Sequence, residues 1–196
     1  MNTTLLDPPE ADAGPASAPP RLLTIKQFAR LPDSHVYELI DGVVVRRGMS
    51  TRSSEVTVNC IELLAPYVRR QKLGRFFDPQ GGYIFFDGRA TVRYPDASFI
   101  RADRLPASRP SFWRLAPDFA FESVSPTDKG EAVVAKVEMY LRVGVRLVWV
   151  AYPVAQVVHA FRPDGTVERF AEGATLKAEG LFPGWSAPAA ELFAGA

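Results

Sequence analysis

The chain has 196 residues, of which 47% are hydrophobic and 23% charged, a composition typical of a globular protein with a substantial core. Its formal net charge of +1 excludes a strong global field, so nucleic-acid binding would require a local basic patch. The single cysteine, Cys60, excludes an internal disulfide framework and a cysteine-rich zinc site. No segment has the length of a membrane span and no secretory signal is recognisable, so we expect a cytoplasmic protein without a membrane partner.

The first twenty residues differ in composition from the rest of the chain. Residues 1–20 are rich in proline and alanine and show little apolar periodicity, which predicts a disordered or loosely ordered arm. No second shift in composition and no internal repeat follows. Residues 21–196 are therefore expected to form one domain.

The N-terminal half begins with the patterns of a helix and a hairpin. Residues 24–33 predict a short helix that Thr24 caps. In residues 37–48, Asp-Gly between two apolar runs predicts a β-hairpin. Apolar residues at helical spacing predict a longer helix over 53–74. Strand-like runs follow over 75–86 and 91–100.

The C-terminal half contains a strand–helix–strand pattern. An apolar strand is predicted over 116–126, a helix over 128–145 and a buried strand over 146–153. Residues 156–170 carry a second Asp-Gly hairpin pattern, and the C-terminal residues predict a loop and a short helix. This order of elements indicates an α/β or α+β fold, with a mixed β-sheet flanked by helices and added β-hairpins.

Three carboxylates lie inside strand-like runs, namely Glu38, Asp96 and Glu122. Burying an ionised carboxylate without a partner is unfavourable, so each acid faces solvent, pairs with a cation or serves a function. Glu38 is compatible with an outward-facing strand position, and Asp96 with a turn after Pro95. Glu122 lies near the C-terminal end of its strand, where α/β sheets commonly bind ligands.

Lys136 is the cation that the pattern places nearest to these acids. Its helix follows Glu122 directly, and Lys136 lies beside Tyr140 at the edge of the predicted apolar stripe. That stripe consists of Val133, Val134, Val137, Tyr140 and Leu141. Either the stem of Lys136 only snorkels along the core, or its ammonium group meets Asp96 and Glu122. Two carboxylates and a lysine suit a hard cation such as Mg²⁺ and the hydrolysis of a phosphodiester.

Several stretches of the chain resemble the Uma2 family of the PD-(D/E)xK nuclease superfamily. They are "YELIDGVVV", "RYPDASFI", "PDFAFESVSPTD" and "KVEMYLRVGVRLVWVAYP". The resemblance extends from about residue 24 to the C-terminal "ELF", and it is carried by the order and spacing of the stretches. It implies a restriction endonuclease-like core that uses a divalent metal.

The resemblance also implies roles for single residues. Asp96 matches the aspartate of the motif and Glu122 its second acid, both as metal ligands, while Glu38 matches an acid from the early part of the fold. The superfamily lysine belongs two residues after the second acid, where this chain has Val124. Lys136, in the following helix, is its match. Related sequences also tend to carry a histidine near residues 51–56, where this chain reads "TRSSEV".

These observations together predict an endonuclease that hydrolyses DNA with Mg²⁺, or with Mn²⁺, and without an organic cofactor. The predicted catalytic residues are Glu38, Asp96, Glu122 and Lys136. A basic patch for DNA is predicted from Arg46, Arg47 and Arg52. We expect a homodimer, because cleavage of both strands of a duplex generally requires two sites. The alternative is a nuclease-fold protein that binds nucleic acid or a protein partner without cutting.

Overall fold

The computed structural model describes residues 22–48, 50–85, 90–108 and 110–196. The predicted arm, residues 1–20, lies outside these ranges, and the assignment of one domain to residues 21–196 stays a prediction. Among the described residues, no helix is both long enough and apolar enough to cross a membrane.

The described residues form four α-helices and twelve β-strands. The helices are α1 (Ile25–Phe28), α2 (Thr51–Arg70), α3 (Gly130–Arg142) and α4 (Ala189–Leu192). The first six strands are β1 (Tyr37–Ile40), β2 (Val43–Arg46), β3 (Gly74–Phe77), β4 (Tyr83–Phe85), β5 (Thr91–Arg93) and β6 (Ala97–Arg101). The remaining strands are β7 (Phe119–Ser123), β8 (Leu147–Tyr152), β9 (Val157–Phe161), β10 (Val167–Phe170), β11 (Thr175–Lys177) and β12 (Ser186–Pro188).

The largest sheet has six strands in the order β10-β9-β8-β7-β6-β3. Its central strands β7 and β8 are parallel and are connected through α3, while the other neighbouring strands are antiparallel. The crossover helix is required because parallel strands cannot be joined by a tight turn. The mixed sheet and its helices confirm the predicted α+β fold class.

Two helices cover the two faces of this sheet. Val56, Cys60 and Leu64 of α2 pack on one face with Phe119 and Phe121 of β7. On the other face α3 packs with the opposite-facing residues of β6, β7 and β8. Side chains alternate between the two faces along a strand. Phe121 faces α2, so the next residue, Glu122, faces α3. The alternation of β7 therefore directs the second acid towards Lys136.

A second sheet has four antiparallel strands in the order β2-β1-β5-β4. The predicted hairpin connects β1 and β2 through Asp41 and Gly42, whose φ angles of 50° and 82° are those that an Asp-Gly turn readily adopts. Thr24 caps α1, and Phe28 of this short helix packs against Leu39 of β1. This sheet positions Glu38 and Arg93 beside the larger sheet.

The run predicted as one strand over 91–100 is divided between the two sheets. Residues 91–93 form β5 of the smaller sheet and residues 97–101 form β6 of the larger one. The chain crosses between them at Tyr94, Pro95 and Asp96. Pro95 lacks the backbone donor that a continuous strand would need. The run over 75–86 is likewise divided into β3 and β4, one in each sheet.

Two further details differ from the sequence-based expectation. Val134, predicted in the buried stripe of α3, is 60% exposed, because the buried face of the helix is narrower than the row of apolar residues along it. The C-terminal residues form β11, β12 and α4, so the predicted loop and helix also contain a two-stranded sheet.

Candidate active site

Asp96 occupies the crossing between the two sheets. It directly precedes β6, and the backbone N–H of Ser123 at the end of β7 donates a hydrogen bond of 2.9 Å to its Oδ2. About 25% of its side chain is exposed, so the carboxylate is held at the sheet edge and remains open to the cleft. The acid after Pro95 is therefore fixed to the end of the strand that carries Glu122.

Glu122 is held on both of its carboxylate oxygens by α3. The ammonium group of Lys136 donates to Oε2 at 2.9 Å, and the hydroxyl of Tyr140 donates to Oε1 at 2.7 Å. The two donors lie four residues apart, which places them on the same face of the helix. The ammonium group of Lys136 thus meets Glu122, one of the two acids that the sequence interpretation named, whereas no ion pair joins it to the other, Asp96, among the described residues.

Glu38 lies on β1 and is only 6% exposed, so it does not face solvent. Arg93 on the neighbouring strand β5 donates to its Oε2 at 2.7 Å, and the backbone N–H of Tyr94 donates to its Oε1 at 3.3 Å. Its Oε1 lies 4.0 Å from Nζ of Lys136. Lys136 therefore lies between Glu38 and Glu122 and links the two sheets.

The electrostatics of the cleft favour a charged lysine and oppose a charged Asp96. Burial and the neighbouring charge of Glu122 raise the pKa of Asp96 to about 7, against the opposing effects of Lys136, the Ser123 hydrogen bond and Arg47. Burial disfavours the charged form of Lys136, yet the nearby carboxylates, Glu122 foremost, raise its pKa above the ordinary value. The ammonium group is therefore a permanent cation at neutral pH.

Glu38 is held ionised by its cationic neighbours. Burial would raise the pKa of Glu38, but the charges of Lys136 and Arg93 and the hydrogen bonds from Arg93 and Tyr94 hold it below the ordinary value. Both of its oxygens are occupied within the protein, so Glu38 acts on the cleft chiefly by holding the cations beside it.

Arg47 lies beside Asp96 as a buried contact of the fold. Its side chain is 9% exposed, and its guanidinium group donates to the backbone carbonyls of His35, Pro79 and Tyr94 at 2.9–3.2 Å. Its NH2 atom lies 3.6 Å from Oδ1 of Asp96. The guanidinium group thus braces the chain around Asp96, and a role in DNA binding stays a prediction for Arg47.

The other two predicted arginines are exposed, and one of them lines the cleft. Arg46 ends β2 and lines the cleft, while Arg52 lies in the first turn of α2. Their contact with nucleic acid also stays a prediction.

The four predicted catalytic residues line one cleft of about 340 Å³, between the two sheets and α3. A second cleft of about 340 Å³ shares Asp96, Ser123 and Arg47 with it and borders the first turns of α2. The segment where relatives tend to carry a histidine contributes Ser53 and Ser54 to this second cleft. A larger cleft of about 850 Å³ borders α1 and contains none of the four residues.

Two residues of this site, Tyr140 and Arg93, were not predicted from the sequence. The sequence pattern placed Tyr140 among the core residues of α3. Tyr140 follows Lys136 by one helical turn, and this spacing indicated that the two side chains share a face of the helix. Arg93 lies in an apolar strand, and an arginine there needs a carboxylate partner. The partner itself, Glu38, lies 55 residues away and could not be assigned by pattern.

The donor set of the cleft fits a hard divalent cation that the substrate helps to coordinate. Within the described ranges, no group of three or more His, Cys, Asp or Glu residues is arranged to hold a metal ion. Asp96 and Glu122 nevertheless line the same cleft, and the side chain of Asp96 is 25% exposed. Mg²⁺ is commonly bound through one or two carboxylates, several waters and substrate phosphates, so two acids suffice.

Comparison with known proteins agrees with this architecture. A solved structure described as a putative nuclease belonging to DUF820, from Anabaena variabilis ATCC 29413, superposes with a TM-score of 0.77. The alignment has 23% sequence identity and covers 87% of this chain and 97% of the other, so it shows a shared fold. No curated protein matches the sequence. The sequence model of Uma2, a family described as "Putative restriction endonuclease", matches residues 25–190, and the chain therefore belongs to the Uma2 family.

Proposed function

We propose that this protein is a divalent metal-dependent endonuclease that hydrolyses phosphodiester bonds of DNA. The observation that carries the proposal is the position of Lys136, whose ammonium group lies 2.9 Å from Glu122 in a cleft that also contains Asp96. Two acids and a lysine at one sheet edge are the chemical set of a PD-(D/E)xK site. The lysine here comes from α3 and not from β7.

Asp96 and Glu122 are the residues that would hold Mg²⁺ or Mn²⁺. Such an ion polarises a phosphoryl oxygen and lowers the pKa of a bound water. Asp96 would contribute a carboxylate that borders the cleft, and the ion would also favour the ionised form of this carboxylate, which burial opposes. Glu122 would contribute the carboxylate whose Oε2 accepts from Lys136.

Lys136 serves as a fixed positive charge and hydrogen-bond donor. Its ammonium group donates to Glu122 at 2.9 Å and lies 4.0 Å from Oε1 of Glu38, and these carboxylates favour its charged form. It orients the attacking water by donating to it, and it stabilises the negative charge that develops on the phosphate in the transition state.

Glu38 completes the site through Lys136. Arg93 and the Tyr94 backbone fix the carboxylate, whose Oε1 lies 4.0 Å from the ammonium group. This negative charge keeps Lys136 in the cleft if a metal ion weakens its bond to Glu122. Glu38 is thus a positioning residue in this proposal.

The direct test is incubation of supercoiled plasmid with the purified protein and Mg²⁺ or Mn²⁺. The wild-type protein is expected to nick or linearise the plasmid, and EDTA is expected to stop it. Asp96→Ala should lose at least about a hundredfold in rate, the range expected for one electrostatic group of an active site. Asp103→Ala, which removes an exposed carboxylate paired with Arg101, is the matched control. Cleavage that survives Asp96→Ala would overturn the assigned site.

The rival function is binding of nucleic acid or of a protein partner without cleavage. It is favoured by the net charge of +1 and by the sequence "TRSSEV" at residues 51–56, where related sequences tend to carry a histidine. Retained binding of a labelled duplex without any metal-dependent cleavage would support this rival.

We propose in addition that the active form on duplex DNA is a homodimer, because one cleft can hold one scissile strand. Light scattering of the complex with a short duplex is expected to give a molar mass of two chains of 21.6 kDa plus the mass of one duplex. A mass of one chain per duplex, with both strands cut together, would contradict this.

A further inference from the structure

Glu122 is held by two donors that differ in their access to the cleft. Tyr140 donates to Oε1 and is completely buried between α3 and the sheet. Lys136 donates to Oε2, and 24% of its side chain is exposed. A group that enters the cleft can therefore replace Lys136 on Oε2, whereas the hydrogen bond on Oε1 comes from a side chain of the core.

The bond between Tyr140 and Glu122 is also held by the packing of the tyrosine. Tyr140 is fully buried, so water does not compete for its hydroxyl group. The ring of Tyr140 packs edge-on against Phe85 with 5.8 Å between ring centroids, which fixes its rotamer. Tyr140 thus fixes the plane of the Glu122 carboxylate.

We propose that Tyr140 is a positioning residue that reserves Oε1 of Glu122 and leaves Oε2 as its single exchangeable ligand atom, so that the site favours Mg²⁺ over Ca²⁺. This inference rests on the proposed function, because it concerns the metal that Asp96 and Glu122 would hold. Tyr140, a residue of the core, thus sets which of the two cations the site prefers.

The physical basis is the different coordination of the two ions. Ca²⁺ takes six to eight oxygens at 2.3–2.6 Å and readily accepts both oxygens of one carboxylate, whereas Mg²⁺ requires a compact octahedron at 2.0–2.1 Å. A glutamate that offers one oxygen denies Ca²⁺ the bidentate contact it readily accepts, and it leaves the compact Mg²⁺ shell unaffected. Removing the Tyr140 hydroxyl frees Oε1 and allows bidentate coordination.

The test is the competition of Mg²⁺ and Ca²⁺ with bound Mn²⁺, followed by electron paramagnetic resonance on the full chain after EDTA treatment. Tyr140→Phe removes only the hydroxyl. It is expected to increase the affinity for Ca²⁺ relative to Mg²⁺ by about tenfold, the scale of one hydrogen bond to a charged group. Tyr67→Phe is the matched control, because its hydroxyl also donates a hydrogen bond, to the carbonyl of Pro183 far from the cleft. An unchanged ratio in Tyr140→Phe, or the same change in Tyr67→Phe, would overturn the proposal.

A second measurement covers the case in which Tyr140→Phe does not fold. In the wild-type protein, the buried hydroxyl proton of Tyr140 should give a slowly exchanging NMR signal that persists when Mg²⁺ is added. Loss of that signal on addition of Mg²⁺ would show that the ion takes Oε1 and would overturn the inference.

The plasmid assay separates this inference from the proposed function. Metal-dependent cleavage with an unchanged cation ratio in Tyr140→Phe would remove the inference and leave the nuclease assignment intact. A changed cation ratio in Tyr140→Phe, without any plasmid cleavage by the wild type, would support the role of Tyr140 and overturn the nuclease assignment.

Discussion

The residues of the cleft show how a protein keeps three carboxylates close together at a sheet edge. Glu38 and Glu122 each have partners on both oxygens, and Lys136 lies between them. Such pairing is required because an unpaired buried charge costs several kcal/mol. The four predicted catalytic residues line one cleft, and the sequence had predicted them as one catalytic set. Their partners depend on contacts between strands and helices distant in sequence, so they were not predictable.

The buried pair of Arg93 and Glu38 gives a first prediction. Arg93→Ala leaves the Glu38 carboxylate buried with one cation fewer, so we expect the free energy of unfolding to fall by about 3–5 kcal/mol. Arg101→Ala breaks the ion pair with Asp103, whose side chains are 43% and 61% exposed, and should change the stability by less than about 1 kcal/mol. Urea unfolding followed by circular dichroism measures both. Equal losses in the two variants would show that the Arg93 pair is not a buried link.

At the scale of elements, local signals predicted the structure best where they contained the turn itself. Asp41-Gly42 fixed the first hairpin, because both residues adopt positive φ angles there. The run over 91–100 was divided between two sheets because its apolar halves look alike, and pairing with β4 or with β7 is decided by distant residues. Pro95 was the local signal for that break. The C-terminal strands β11 and β12, each of three residues, are too short for a clear alternation.

The contact between β3 and β6 gives a second prediction. A Cβ atom on Gly74 would lie 2.1 Å from the carbonyl oxygen of Ile100, so β3 can approach β6 only with glycine at this position. Gly74→Ala should therefore lower the free energy of unfolding by about 2–3 kcal/mol. Gly180→Ala, where no atom lies within 4 Å of the added Cβ, should have little effect. Thermal unfolding of both variants measures the difference, and an unchanged midpoint for Gly74→Ala would contradict the close approach.

The second hairpin gives a prediction about pH. His159 of β9 pairs with Arg169 of β10 and its ring lies 5.3 Å from that of Tyr152. Partial burial and the charge of Arg169 hold the pKa of His159 below its ordinary value, so the ring loses its proton at a lower pH than a free histidine. Arg169→Ala should raise this pKa towards the ordinary value. NMR titration of the two histidines measures it, with His35→Gln to assign the signals, and a pKa that falls or stays constant would contradict the pairing.

For the whole molecule, the two sheets and α3 together create the site. The smaller sheet supplies Glu38 and Arg93, and the larger sheet supplies Glu122. The crossing between the sheets supplies Asp96, and α3 supplies Lys136 and Tyr140. A lysine from α3 reaches the same cleft as the acids because α3 connects the parallel strands β7 and β8 and packs on the sheet face where Glu122 lies. The fold is shared with a solved DUF820 structure, while the nuclease activity of this chain remains the proposal to be tested.

The rate of plasmid cleavage by Lys136→Gln in the presence of Mg²⁺ shows most directly whether Lys136 takes part in the chemistry. We expect this variant, folded as judged by circular dichroism, to bind Mn²⁺ at least as well as the wild type and to cleave at least about a hundredfold more slowly. Lys129→Gln, which changes an exposed lysine at the start of the same helix, should cleave at the wild-type rate. Cleavage by Lys136→Gln at the wild-type rate would contradict the account, because the lysine of α3 would then have no part in the chemistry.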